Sequence, residues 1–153
     1  MKIRVFLLVA VGALAAAIST AVALGSAKTN AAAGTTVAIA KTPIGRILVD
    51  SKGRTLYDFP PDHQGVSVCY GACAALWPPL TTKGKPQAGP GVVASLLGTT
   101  KRSDGATEVT YNGHPLYTYA GDSAPGQTSG QGLDDYGAEW YALSAGGSKI
   151  DNG

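Results

Sequence analysis

Short runs in which apolar and polar residues alternate, each closed by a turn signal, fill the chain from about residue 35 onward. Period-two alternation is the mark of a strand with one buried face. "TTVAIA" (35–40) leads through "KTPIG" into "ILVDSKGRTLYDF" (47–59). "GTTKRS" (98–103) leads through Asp104-Gly105 into "ATEVTYNGHPLYTY" (106–119). Asn112-Gly113 suits a type I′ turn, which needs positive φ at both central residues and matches the twist of its flanking strands. Asp50-Ser51-Lys52-Gly53 suits a type I turn closed by a left-handed Gly53. Each half therefore reads as a three-stranded antiparallel meander, residues 36–80 and 98–144. Each ends near a tryptophan, Trp77 in "LWPPL" and Trp140 in "EWYALS". "EWYALS" is expected as a fourth strand, and Pro78-Pro79 as a stop, since proline cannot donate to a ladder. "GACAALW" and "GVVASLLG" read as one or two short helices. The expected fold is mainly β: two pseudo-symmetric antiparallel β-meander repeats forming one small domain over 36–145.

The two halves share a pattern. "LYDFPPD" (56–62) returns as "LYTYAGD" (116–122), an offset of 60 that also matches Val49 to Val109 and Gly53 to Gly113. In a strand, Tyr57 and Phe59 face one way and Leu56 the other, as do Tyr117, Tyr119 and Leu116. Two large rings two residues apart bury much apolar area with few residues. Asp62 and Asp122 fall where each strand must end, and their carboxylates can accept N–H groups of the following turn. These six residues are expected to be a packing-and-turn device.

The stretches "GRILVDSKGRTLYDFPPD", "CYGACAALWPPL" and "VTYNGHPLYTYAGD" resemble the bacterial secreted-repeat family described as predicted lipoproteins with a Y-x-(F/W/Y)-x-x-D motif. The resemblance spans about Thr42 to Leu143 and implies an exported envelope protein of unassigned activity. The chain departs from a lipoprotein pattern after "ALG", where Ser26 stands in place of a lipidated cysteine.

The start of the chain supports export independently. Lys2 and Arg4 precede an uncharged run from Val5 to Leu24, followed by small residues suited to signal cleavage. Residues 1–25 are expected as a signal peptide (an uncleaved anchor is the alternative), 26–35 as a spacer and 146–153 as a flexible tail. The chain carries 12 basic and 10 acidic residues; without Lys2 and Arg4 it holds ten of each. The basic balance thus belongs to the leader, and no nucleic-acid partner is expected. Membrane attachment would need the leader itself, so the protein is placed as secreted, periplasmic or envelope-bound. In such an oxidising compartment Cys69 and Cys73 are expected to form a disulfide that pins one short loop.

Candidate chemistry is sparse. His63 and His114 with Cys69 and Cys73 would make a metal or redox set, but a disulfide removes both sulfurs. Asp62 and Asp122 would serve glycoside hydrolysis only if the fold held them at carboxylate-pair distance. Asp134 and Asp135 sit in a Gly-rich loop without alternating oxygen ligands, and are expected to be solvated. Tyr70, Tyr111, Tyr136 and Tyr141 lie outside the repeated motif and could form a glycan- or protein-binding surface. No cofactor is expected. The reading favoured is a non-catalytic envelope repeat protein that binds an unidentified ligand or serves a structural role, ahead of a metal or redox protein and a hydrolase.

Overall fold

The computed structural model describes residues 34–151; the expected signal peptide and most of the expected spacer lie outside them. The strands are β1 (Thr36–Thr42), β2 (Gly45–Asp50), β3 (Tyr57–Asp58), β4 (Gln87–Ala88), β5 (Leu97–Lys101), β6 (Thr107–Tyr111), β7 (His114–Pro115), β8 (Asp134–Asp135), β9 (Ala138–Glu139) and β10 (Tyr141–Ala142). One α-helix, α1 (Ala72–Leu76), and a 3₁₀ turn (Ala94–Leu96) stand where the two short helices were expected. The strand orders are β2-β1-β4, β5-β6-β7, β10-β3 and β8-β9. The chain is mainly β and built from two repeats.

The hairpin turns follow their sequences. Asn112 and Gly113 both take positive φ, 50° and 81°, as a type I′ turn demands. In the first repeat Gly53 has φ 78° and its N–H reaches Asp50 O, while Asp50 Oδ1 accepts from Lys52 and Arg54 N–H.

Strand registers refine the repeat. Val37 faces Asp50 and Leu97 faces Tyr111, so the first strands match at an offset of 60 but the second strands at 61. Leu48, not Val49, is the counterpart of Val109: Leu56 N–H donates to Leu48 O, and Leu116 N–H to Val109 O, each at 3.0 Å. The first turn is one residue longer, so the matches of Val49 to Val109 and Gly53 to Gly113 do not hold.

Pro78-Pro79 ends no pairing. Pro79 bridges Tyr117 as Ala142 bridges Tyr57, because the pairing here draws on the Pro78 carbonyl and asks for no N–H from either proline. Thr118 N–H donates to Pro78 O at 2.9 Å. The expected tail also differs. Leu143 pairs with Lys149, Ile150 N–H donates to Ala142 O, and Ile150 packs on the core, so residues 142–150 form a hairpin.

Two apolar clusters result. Leu56 and Leu116 join Val37, Leu48, Leu80, Val109, Tyr111 and Leu143 on one side of the motif strands. Tyr57, Phe59 and Tyr117 join both tryptophans and the cystine on the other. That is the division period two predicted.

Candidate functional site

The two motif copies meet back to back. Tyr57 N–H donates to Tyr117 O at 2.8 Å and Tyr117 N–H to Tyr57 O at 3.0 Å, a reciprocal bridge on the pseudo-two-fold axis. The side chains then cross over. Tyr57 Oη donates to Asp122 Oδ2 and Tyr117 Oη to Asp62 Oδ2, each at 2.7 Å, so each repeat's tyrosine is held by the other repeat's aspartate. The second oxygen of each carboxylate accepts a backbone N–H, Val68 at 2.8 Å for Asp62 and Ser129 at 2.9 Å for Asp122. Backbone capping was the expected role of these carboxylates; the exchange between repeats was not legible from the motif. Burial first, and the neighbouring carboxylates after it, push both phenols far above their ordinary range. They stay protonated and donate.

The rings are exchanged in the same way. Phe59 stacks on Trp140 at 4.3 Å, Tyr119 lies against Trp77 at 4.5 Å, and the two indoles stack at 4.0 Å and 4° between them. Tyr57 meets Trp77 edge-on at 5.3 Å and Tyr117 meets Trp140 at 5.2 Å. Each such pair contributes about 0.5–1.5 kcal/mol beyond burial. Asp135 is no solvated loop residue. Its Oδ2 accepts Trp77 Nε1–H at 3.3 Å and its backbone O accepts Trp140 Nε1–H at 3.1 Å.

The doubled fold supplies an internal control, because a residue demanded by architecture should recur in both copies. Three buried acids do not: Asp50, standing where the second copy has Tyr111, is spent on its own turn and on Arg54, which leaves Glu108 and Asp58. Glu108 occupies the position of Ile47, as the matching bridges Ile47–Ser144 and Thr81–Glu108 show. Its Oε2 lies 2.9 Å from Arg102 Nη1, whose guanidinium also reaches Ser67 Oγ and Cys69 O. Its Oε1 is buried without a partner, and burial, outweighing Arg102, pushes the carboxyl up to about 7. Asp58 occupies the position of Thr118. His114 Nδ1 lies 3.0 Å from its Oδ2, while Oδ1 is buried and unpartnered. Burial raises the Asp58 carboxyl, with His114 and then Lys149 opposing. Asp58, Asp62, Asn112, His114 and Lys149 line an open cleft of about 450 Å³.

Other candidates are dispersed. Cys69 and Cys73 are disulfide-bonded. His63 is exposed, and His114 is spent on Asp58. Among the described residues no three His, Cys, Asp or Glu side chains converge as a metal site. Of the four tyrosines outside the motif only Tyr136 is exposed. Tyr111 is buried between Val93 N–H and Ala145 O, Tyr70 lies under Arg102, and Tyr141 pairs with Glu139.

A family described as a secreted repeat of unknown function matches residues 38–81 and 98–144, and the chain belongs to it. The two matched segments are the two copies joined by the tyrosine–aspartate exchange. No curated protein and no solved structure matches the chain. No helix among the described residues is long and apolar enough to cross a membrane.

Proposed function

We propose that this is an exported, non-catalytic module of the cell envelope, and that its doubled motif is architecture rather than an active site. One observation carries the reading: Tyr57, Tyr117, Asp62 and Asp122 spend their polar side-chain atoms on each other, on backbone N–H groups and, for Tyr117, on the Ser67 hydroxyl. A hydrolase needs one carboxylate free for water and one free for the leaving group. Here both oxygens of each motif aspartate are taken. The leader pattern before residue 25, the family's description as secreted and the cystine support export.

Asp62→Asn and Asp122→Asn test this. An amide has one acceptor oxygen where the carboxylate has two, so each variant loses a bond and leaves a buried group short. Urea unfolding should show a loss of about 1–3 kcal/mol for each. Chromogenic glycoside and ester substrates should be left intact by the wild-type protein. Turnover by wild type that either variant abolishes without loss of stability would replace this reading with an enzyme.

A further inference from the structure

The two repeats differ most in how their outer strands are covered. In the first repeat the linker after Leu80 lays β4 along β1 in parallel: Gln87 N–H donates to Thr35 O, Gly89 N–H to Val37 O, and Ile39 N–H to Pro90 O. In the second repeat the equivalent strand is β5, with Leu97 and Thr99 standing where Val37 and Ile39 stand. The chain that would cover it, after Leu143, turns back at Gly147.

The register settles which groups remain. Asn112 N–H donates to Leu96 O and Arg102 N–H to Ala106 O at the two ends of the β5–β6 ladder. In an antiparallel pair this turns Gly98 and Thr100 toward β6, and leaves the outer edge to Leu97, Thr99 and Lys101. Leu97 N–H is taken by Ala94 O, so the edge offers Leu97 O, Thr99 N–H and O, and Lys101 N–H. Beside it runs an open groove of about 640 Å³ whose far wall is β4, itself an edge strand. Lys83 and Lys85 line the groove, Lys101 ends β5, and among the described residues no acidic one lines it.

We infer that this groove receives an acidic peptide segment of a partner protein, added in extended form as a strand parallel to β5, as β4 lies on β1. Main-chain hydrogen bonds to Thr99 supply registration, and the lysines select acidic side chains. A second copy of this chain fits less well, since it would bring the same lysines against each other. Residues 26–33 carry Lys28 and no acid, so the chain's own segment lacks the matching charge. The inference deepens the reading of a non-catalytic module.

The test uses the full-length protein and a fluorescent peptide alternating glutamate and valine, with a lysine–valine peptide as control. The glutamate peptide should bind and slow amide exchange at Thr99, and the control should not. Thr99→Pro removes the outward N–H at an edge position where proline is tolerated. It should weaken binding at least tenfold with an unchanged melt. Lys83→Glu with Lys85→Glu should do likewise. No binding by the glutamate peptide overturns the proposal, as does binding lost with the lysines but indifferent to Thr99→Pro, which is plain charge attraction. Concentration-dependent dimerisation abolished by Thr99→Pro would assign the edge to a second copy instead. None of these outcomes touches the turnover assay, so the non-catalytic reading stands or falls separately.

Discussion

Glu108 and Asp58 are the residues the architecture does not explain, since their twins Ile47 and Thr118 serve the same backbone positions without a charge. A buried carboxyl with one unpartnered oxygen favours its neutral form. For Glu108, raised to about 7, the folded state holds a proton that the unfolded state releases near the ordinary glutamate value. Its contribution is therefore fully present below that value and is lost as pH rises through about 7. Between about pH 5 and pH 8 stability should fall by about 1–3 kcal/mol, a span set by the shift in this one group. Glu108→Gln, isosteric and uncharged, should flatten that slope in urea unfolding at several pH values. An unchanged slope in the variant would show that Arg102, 2.9 Å away, keeps Glu108 ionised throughout.

At the scale of elements, local signals were readable and exchanges between elements were not. The Asn112-Gly113 turn, the division of Leu56 and Leu116 from the rings, α1 and the cystine all follow from neighbours in sequence. The one-residue slip of β2 against β6 is hidden in the sequence because Val49 and Val109 are the same residue type, while the extra residue of the first turn leaves no local mark. Asp135 looked solvated because its partners, the two indole N–H groups, lie 58 residues before it and five after. The tail looked loose because "GGS" hides a hairpin that only Ala142 and Leu143 can anchor. The cystine lies in a loop that is pinned twice more, by Arg102 Nη2 on Cys69 O at 2.7 Å and by Asp62 on Val68 N–H. The closed loop is short, so chain entropy gives it only about 2 kcal/mol. The Cys69→Ser, Cys73→Ser double variant should stay folded and lose about 0–3 kcal/mol by thermal melt. Unfolding at room temperature would mean that the cystine organises the loop and the other two ties merely follow.

For the molecule as a whole, duplication has produced halves that cannot be finished separately. The ring of Phe59 needs Trp140, that of Tyr119 needs Trp77, each motif tyrosine needs the other copy's aspartate, and β10 of the second half completes β3 of the first. A half on its own would expose a row of aromatic rings and leave the motif strand unpaired. A single repeat of this size is also near the limit at which any core suffices. Residues 34–90 and 91–153 expressed separately should therefore each lack a cooperative melt and dispersed amide resonances. Mixed at equal concentration, they should regain both, because the crossed contacts form as well between chains as within one. Rescue should disappear if one fragment carries Tyr57→Ala, which removes a fully buried ring, its contact with Trp77 and its bond to Asp122. In the intact chain the same change should cost about 3–5 kcal/mol. A half that melts cooperatively alone would mean that each repeat is a domain in its own right. The tyrosine–aspartate exchange would then be a contact between finished units rather than the means by which either is completed.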